Sequence, residues 1–334
     1  MKKLLMVCLI ALFAISGVFA AGQKDGENVK HIGVAIPSAD HGWTGGIVWW
    51  ANKRAKEIEA EYGGKVKVSV VTANGPSTQI QAVENLMSIG IDYLVILPHE
   101  SAPLTPIVKE AHDAGIKCIV VDRGLTDTGF GYVNLAGDNP GFGTLSGKWM
   151  AKEMMAKSKG GNIVCMGGLP VPIDKERMDG FFAEIDKESS IVNLLGKDKY
   201  EFADWSTQKG LELMETFLSQ YPKIDAVFCQ DDDVLRGVLQ AYKESGRSDS
   251  HTFLGGAGSK VVMKMIMDGD PLVRATVTYH PMMIADGMNY ALDVAMGKKS
   301  ADFHNASAPI SVVIPSVLLT KDNVADYYEA DSVY

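Results

Sequence analysis

The feature that most constrains the fold of this chain is a regular alternation between short apolar runs and longer amphipathic segments. The apolar runs are rich in Val, Ile and Leu, as are strands buried on both faces of a parallel sheet. We predict strands at residues 31–36, 66–72, 93–97, 118–122, 162–166, 226–230 and 252–255. Helical patterns predict helices at residues 46–61, 77–89, 102–114, 141–157, 176–187, 208–219, 234–245, 260–267 and 282–296. Repeated strand–helix–strand units indicate an α/β fold with parallel sheets.

Glycines follow several of the predicted helices. Gly90, Gly115 and Gly246 each come directly after a helical stretch. A residue in the left-handed conformation commonly ends a helix, and glycine adopts that conformation most easily. We therefore expect helices to end at these three positions.

The first 20 residues have the parts of a secretory signal peptide. Two lysines are followed by an apolar run over residues 4–15 and by a cleavage site near Ala20. The run is too short to span a membrane, although a retained N-terminal anchor is the alternative interpretation. Cys8 lies inside the run rather than after a lipobox. We expect residues 1–20 to be removed and a soluble product to be exported to the periplasm.

The expected mature protein is acidic and long enough for two domains. Cleavage after residue 20 leaves 314 residues, with 30 of the 32 basic residues against all 41 acidic ones, a formal net charge of −11. An acidic surface argues against a nucleic-acid partner. One hydrophobic core seldom organises a chain of this length, so we expect two domains.

Cysteines and histidines indicate neither a disulfide framework nor a metal site. Cys118, Cys165 and Cys229 lie in apolar, strand-like runs, and an odd number of cysteines cannot pair completely. We predict buried free thiols that pack as small hydrophobic residues. The sequence has no Cys-x-x-Cys pair, and its histidines lack metal-ligand spacing. We therefore expect no metal and no cofactor.

Polar and aromatic residues follow the predicted strands, where ligands bind in open parallel sheets. Four of these junctions resemble the ribose- and galactose-type periplasmic binding proteins of ABC transporters, the type I family. They read IGVAIPSADHGWTGGIVWWANKRAKE, IKCIVVDRG, KERMDGF and AVFCQDDDVLRGVLQA, in family order and spacing, and the resemblance runs from Val29 to the end of the chain.

The resemblance implies two similar, doubly wound parallel-sheet lobes joined by three crossover segments, with ligand enclosed between them on hinge closure. It places the crossovers near residues 137–138, 279–280 and 313–316. The N-terminal lobe would then hold residues 29–137 and 281–312. The C-terminal lobe would hold residues 138–280 and 313–334.

The resemblance also implies which side chains contact the ligand. A sugar or polyol needs aromatic planes for its carbon faces and charged hydrogen-bonding groups for its hydroxyls. Positions that match the family, or lie beside such positions in the junctions, are Asp40, His41, Trp43, His99, Asp122, Arg123, Arg177, Trp205, Asp231, Asp232 and Tyr279.

Some of these residues have plainer interpretations that the sequence leaves open. Either tryptophan could be a core residue, as we expect Trp49 and Trp50 to be. Asp122 and Arg123 could form a surface ion pair, and Arg177 could be a solvated residue at a helix start. The three acids from Asp231 to Asp233 could stabilise a helix N-terminus. We expect one acid of that run to bind ligand and another to cap the helix.

Two positions depart from the family pattern. Ala257 stands where many sugar-binding relatives have an aspartate, and Tyr279 stands where relatives often carry glutamine or asparagine. The expected pocket is therefore more aromatic and richer in histidine than a ribose pocket. A pentose, a hexose or an open-chain polyol fits these expectations.

Other classes of protein are less well supported. The sequence contains no G-x-G-x-x-G after the first strand, no Walker A motif and no G-x-S-x-G motif, so we do not expect an enzyme. A sugar-responsive repressor of the same fold would need a helix-turn-helix segment where this chain has an export signal. We expect a monomer that delivers its ligand to an ABC permease. Presentation of the ligand to a chemoreceptor or sensor kinase is compatible with the same sequence.

Overall fold

The computed structural model describes residues 29–39, 42–188, 192–196 and 199–334. Within these ranges the helices are α1 (Gly42–Tyr62), α2 (Pro76–Ser88), α3 (Ser101–Asp113), α4 (Asn139–Ser158), α5 (Pro172–Ile185), α6 (Thr207–Gln220), α7 (Asp232–Ser245), α8 (Lys260–Asp268) and α9 (Met283–Ala295). The strands are β1 (Lys30–Pro37), β2 (Val66–Ala73), β3 (Tyr93–Ile96), β4 (Lys117–Val121), β5 (Val133–Gly137), β6 (Gly161–Gly167), β7 (Val192–Leu194), β8 (Glu201–Phe202), β9 (Ala226–Cys229), β10 (Thr252–Ala257), β11 (Val273–Thr278), β12 (Ile310–Ile314) and β13 (Leu318–Thr320).

The first sheet has the strand order β12-β5-β4-β3-β1-β2, and its pairs are parallel. Alternate residues of β1 face opposite sides of the sheet, and both sides are covered. Ile32 and Val34 belong to the hydrophobic cluster that contains Ile47 of α1 and Met288 of α9. Ala35 belongs to a second cluster with residues of α2 and α3. Burial on both faces explains why β1 reads as an almost continuous apolar run.

The second sheet has the order β13-β11-β10-β9-β6-β7, and β8 pairs with the other end of β6. Met178 of α5 packs in one cluster with Cys165 on one face of this sheet. Val238 of α7 packs in another cluster with Val227 on the opposite face. Strand β13 runs antiparallel to β11, whereas the sequence predicted parallel pairing throughout.

Helices α4 and α5 approach so closely that their backbones touch. A Cβ atom at Gly143 of α4 would overlap the carbonyl oxygen of Arg177 in α5. This contact requires glycine, because a larger residue would push the helices apart. It also positions Arg177, which is buried and faces the gap between the two sheets.

Three crossover segments carry the chain from one sheet to the other, as the family resemblance implied. They lie between β5 and α4, between β11 and α9, and between β12 and β13. The segments run side by side and are hydrogen-bonded. The Asp138 amide donates to the Ile314 carbonyl at 3.0 Å, and the Val317 amide donates to Thr278 Oγ1 at 2.8 Å. We call these three segments the hinge.

The predicted strands and helices are all present, with ends displaced by at most four residues. Strands β5, β7, β8, β11, β12 and β13 were not predicted. In β11 the apolar pattern is interrupted by Arg274, whose guanidinium forms an ion pair with Glu153 of α4 at 2.5 Å. Thr276 of the same strand donates to a buried carboxylate, that of Asp232. The polar side chains of β11 pair with residues of other elements, so this strand lacks the continuous apolar run on which the prediction relied.

The cysteine and glycine predictions are confirmed. All three cysteines of the described ranges are free and buried, and burial raises the pKa of the Cys118 thiol to about 12. Gly90, Gly115 and Gly246 have φ values of 76°, 89° and 66°. In the part of the chain that is described, no helix is both long enough and apolar enough to cross a membrane.

A candidate ligand-binding cleft between the two sheets

A cavity of about 340 Å³ lies between the two sheets, at the carboxyl ends of their strands. Ligands bind at this position in open parallel sheets, and the volume lies within the range of small-molecule sites. We call this cavity the cleft. The predicted contact residues in its wall are Trp43, His99, Asp122, Arg123, Arg177, Trp205, Asp231 and Tyr279. Contact between these side chains and a ligand stays a prediction.

Asp122 follows β4 and is held in place before any ligand arrives. Its φ of 67° is a left-handed conformation that a non-glycine residue adopts at some cost. The Tyr279 hydroxyl donates to Asp122 Oδ1 at 2.5 Å, and Arg123 Nε lies 3.5 Å from Oδ2. The second carboxylate oxygen therefore has only a long contact to a partner. It is the atom of Asp122 best placed to accept a hydrogen bond from a ligand hydroxyl.

A hydrogen bond from the Arg123 side chain to the His99 backbone joins these two residues. The Arg123 guanidinium donates to the His99 carbonyl at 2.9 Å, so the Asp-Arg pair lies in the cleft wall rather than on the outer surface. His99 is positioned in turn by buried Gln79, whose Oε1 accepts from the His99 amide at 2.6 Å. His99 Nδ1 is buried and has no hydrogen-bond partner among the described residues.

Arg177 reaches the cleft from the second sheet's side and is nearly fully buried. Its Nε donates to Asn139 Oδ1 at 2.8 Å, and the guanidinium lies 4.2 Å from the ring centre of Tyr279. The guanidinium also lies 4.8 Å from the ring centre of Phe142. These contacts fix the Arg177 side chain in the cleft wall. The interpretation of Arg177 as a solvated residue at a helix start is therefore wrong.

Trp205 also has a strained backbone and an unpaired polar atom. Asp204 and Trp205 have φ values of 53° and 52°, two consecutive left-handed residues that are not glycine. A Cβ atom at Gly168 would overlap the indole, so the missing side chain there makes room for it. Trp205 Nε1 is buried without a hydrogen-bond partner in the described ranges. Backbone strain of this kind is typical of functional sites.

Asp231 both lines the cleft and caps helix α7. Its Oδ1 accepts from the Asp233 amide at 2.7 Å and from the Val234 amide at 3.4 Å. Burial and the nearby charge of Asp233 raise the pKa of the Asp231 carboxyl to about 7. Asp231 is therefore the acid that caps the helix and also the acid in the cleft wall, while its contact with a ligand stays a prediction.

Asp232 does not line the cleft, so the structure gives no support to its prediction as a contact residue. Its side chain is fully buried on the other side of the helix start. Oδ2 accepts from the Ser259 amide at 2.6 Å, and Oδ1 accepts from the Thr276 hydroxyl at 3.1 Å. Because successive residues of a helical turn point in different directions, Asp232 ties β10 and β11 together instead of facing the ligand. Asp40 and His41 lie outside the described residues.

Trp43 lies at the start of α1 and is anchored to the hinge. Its Nε1 donates to the Tyr279 carbonyl at 2.8 Å, and the two ring centres lie 6.1 Å apart. Trp49 and Trp50 do not line the cleft; their rings pack edge to face with centres 4.8 Å apart. Among the tryptophans of α1, the one predicted to contact ligand is thus the one in the cleft wall.

A model of the periplasmic binding protein domain matches residues 32–300, which is most of the chain. The chain belongs to the periplasmic binding protein family. This periplasmic binding protein is 29% identical over 249 residues to the ribose import binding protein RbsB of Bacillus subtilis (strain 168), covering 74% of this chain and 77% of that protein. It is 28% identical over 295 residues to the galactofuranose-binding protein YtfQ of Escherichia coli (strain K12), covering 84% and 85%.

Solved structures show the same architecture. A crystal structure of a galactofuranose binding protein aligns with a TM-score of 0.71 at 24% identity, over 91% of this chain and 100% of that one, which shows a shared fold. The fructose binding periplasmic domain of the hybrid two component system BT1754 aligns with a TM-score of 0.69 at 28% identity, over 90% and 93%. The relatives are binding proteins, and this periplasmic binding protein is not an enzyme.

Sequence reasoning missed several residues that shape the cleft of this periplasmic binding protein. Gln79 and Asn139 position two predicted contact residues, His99 and Arg177, and Leu169, Ile173 and Asp204 lie in the wall. Leu169 is 39% exposed, an apolar residue at a strand end that has little to pack against. The sequence alone did not mark Leu169 as a cleft residue, because its exposure and its position opposite the first sheet are visible only in the folded structure.

Proposed function

We propose that this chain is the substrate-binding component of an ABC uptake system, which binds a monosaccharide or polyol reversibly in the cleft. The observation that carries the proposal is the composition of the cleft wall. Two indole rings, two arginines and carboxylates from both sides converge on about 340 Å³. Indole planes cover the carbon faces of a sugar, and charged groups form strong hydrogen bonds with its hydroxyls.

The charged groups of the wall favour a polar ligand. Arg123 lines the cleft with 40% of its side chain exposed, so its guanidinium can donate to a ligand hydroxyl. The relatives named for ribose, xylose and galactofuranose support a sugar, and we leave pentose, hexose and polyol open.

We propose that hinge closure traps the ligand. The N-terminal lobe would hold residues 29–137 and 281–312, and the C-terminal lobe residues 138–280 and 313–334. A ligand held by Arg123 of one lobe offers its other face to Trp205 of the other lobe. Binding then shifts the population towards the closed state, which an ABC permease recognises. Removal of residues 1–20 would release the protein into the periplasm as a soluble monomer.

A second candidate function is the presentation of the ligand to a chemoreceptor or sensor kinase. The likeness to the periplasmic domain of a hybrid two component system favours it, because that domain shares the fold at 28% identity. The cleft chemistry would be the same in both functions, and only the docking partner would differ.

The proposal is tested with residues 22–334, freed of carried-over ligand by unfolding and refolding. We expect a saturable rise in melting temperature with one pentose, hexose or polyol of a panel, and no turnover of that compound. In the Trp205→Ala and Arg123→Ala variants the affinity should fall about ten- to a hundredfold, since each loses contacts worth about 1.5–3 kcal/mol.

The matched control is Trp49→Ala, which removes the same side chain outside the cleft. Its affinity for the ligand should equal that of the unmodified protein. Affinity that survives unchanged in both cleft variants would show that the ligand binds elsewhere. A full panel without any shift would contradict a carbohydrate ligand.

A further inference from the structure

A second cavity, of about 350 Å³, lies on the hinge, outside the cleft. All three crossover segments contribute to its wall, through Gly137, through the segment around His280 and through Pro315. Trp50 of α1, Asp286 of α9 and the segment from Asp326 to Glu329 complete it. Tyr279 is the one residue that lines both cavities within the described ranges. We call this the hinge cavity.

The hinge cavity contains a carboxyl group without a counter-charge. Asp286 lies in the first turn of α9 and is partly buried, and burial raises its carboxyl pKa above the usual value. No basic side chain of the described chain forms an ion pair with it. The other acids of the wall are Asp326, which is exposed, and Glu329, which is bound to Lys53 at 3.1 Å. The wall therefore carries an excess of negative charge.

Aromatic groups surround this carboxyl group. Trp50 Nε1 is buried and has no hydrogen-bond partner among the described residues. The His280 ring packs edge to face on Trp50 with centres 5.7 Å apart. Its Nδ1 accepts from the Met282 amide at 3.1 Å, and burial lowers the pKa of His280 to about 4, so the ring is neutral at pH 7. Tyr327 and Tyr328 are also in the wall.

The protein already uses one of these rings to hold a cation. The Lys53 ammonium lies 4.8 Å from the centre of the Trp50 ring and 5.1 Å from that of Trp49. Aromatic faces attract cations most strongly when the site is partly desolvated. Since Lys53 is committed to Glu329, it does not neutralise Asp286.

We propose that the hinge cavity binds a small organic cation, an alkylammonium compound. The Asp286 carboxylate would pair with the ammonium, and the rings of Trp50 and His280 would cover its methylene groups. An anion is excluded by the acidic wall. The described chain has no cluster of three or more metal-ligating residues, which argues for an organic cation over a metal ion.

Occupancy of the hinge cavity should change the affinity of the cleft. The cavity wall includes all three segments that must bend when the lobes close, so its shape depends on the closed or open state. A ligand that prefers one shape shifts the equilibrium, and the coupling is reciprocal by thermodynamic necessity. Binding of a cation here does not depend on which compound fills the cleft, whereas its coupling to the cleft rests on the proposed hinge closure.

The test is calorimetric titration of residues 22–334 with ethanolammonium chloride, at constant ionic strength. We expect saturable binding with a dissociation constant of about 1 mM or tighter. Asp286→Asn should weaken it about tenfold or more, because a charge-assisted hydrogen bond becomes a neutral one. Trp50→Phe should weaken it about threefold or more, since the smaller phenyl ring attracts a cation less strongly than an indole and covers less of its methylene groups.

The matched control is Asp293→Asn, which removes an acid of the same helix that is bound to Lys299 outside the cavity. It should leave ethanolammonium binding unchanged. We expect the melting temperatures of all three variants to lie close to that of the unmodified protein, which would show that they fold. No saturable binding, or binding that Asp286→Asn and Trp50→Phe leave intact, overturns the proposal. If ethanolammonium binds as expected but no compound of the sugar panel binds, the proposed function is contradicted and the proposal for the hinge cavity is not.

Discussion

Asp231 provides a test in which one substitution separates charge from helix capping. In Asp231→Asn the Oδ1 atom remains, so the bonds from the Asp233 and Val234 amides to the start of α7 are kept. Asparagine and aspartate cap helices about equally well. The variant therefore loses the negative charge but keeps the two hydrogen bonds that Oδ1 accepts.

The magnitude follows from the raised pKa. Folding moves the carboxyl pKa of Asp231 from about 3.9 in the unfolded chain to about 7. The folded state thus holds its proton more tightly, and the unfolded state binds fewer protons between these two values. The stability of the unmodified protein falls as pH rises from about 4 to about 7, by about 4 kcal/mol from this group. The stability that the neutral carboxyl provides is fully present only below about pH 4.

The Asp231→Asn variant does not lose stability in this way as pH rises, because its side chain carries no titrating carboxyl group. The introduced side-chain amide adds a donor that costs about 1–3 kcal/mol if it stays unpaired in the buried site, at every pH. We therefore expect Asp231→Asn to be no more stable than the unmodified protein at pH 4.5. At pH 8 its relative stability should be higher than at pH 4.5 by about 3 kcal/mol.

Urea unfolding of the ligand-free protein at pH 4.5, 6 and 8 measures this difference. Asp231→Ala is the control for capping: it removes the charge and brings no amide donor, so its stability relative to the unmodified protein should change with pH as that of Asp231→Asn does, with a pH-independent loss of about 1 kcal/mol for the missing cap. A stability difference between Asp231→Asn and the unmodified protein that stays constant from pH 4.5 to pH 8 would refute the argument from the buried charge.

Two further predictions concern the hinge and the helix packing. Tyr279→Phe removes the donor to the buried Asp122 carboxylate and should reduce the free energy of unfolding by about 1–3 kcal/mol in urea; an unchanged value would show that water replaces the hydroxyl. Gly143→Ala places a methyl group against the carbonyl of Arg177 and should cost about 1–3 kcal/mol in the same assay. Gly75→Ala is its control, because a Cβ atom at Gly75 has no neighbour within 4 Å; equal losses in both glycine variants would contradict the packing argument.

The sequence alone determined the fold class and the order of most elements. Strands such as β1 are buried on both faces, and this burial leaves a continuous apolar run that is readable without a structure. The glycines that end helices are equally local signals. β11 was missed because its polar residues are satisfied by α4 and α7, which lie far away in the chain.

Part of the cleft was also predictable from the sequence. Carboxyl ends of parallel strands meet at one edge, so Asp122 and Arg123 could be expected to lie in a cleft before any distance was known. The family resemblance added which of the polar junction residues to choose. Position at a strand end was sufficient for Asp122 and Arg123, whereas Trp205 follows β8, which was not predicted, and was chosen from the family resemblance.

Only the tertiary structure showed which of two neighbouring residues faces the cleft and which residues hold the cleft side chains in place. Asp231 and Asp232 are adjacent acids in the sequence, yet one faces the cleft and the other binds Ser259 and Thr276. The direction of a side chain depends on the helix that starts there and on what packs behind it. The hinge cavity likewise has no sequence motif, because its wall joins Trp50, Asp286 and three crossovers that only folding brings together.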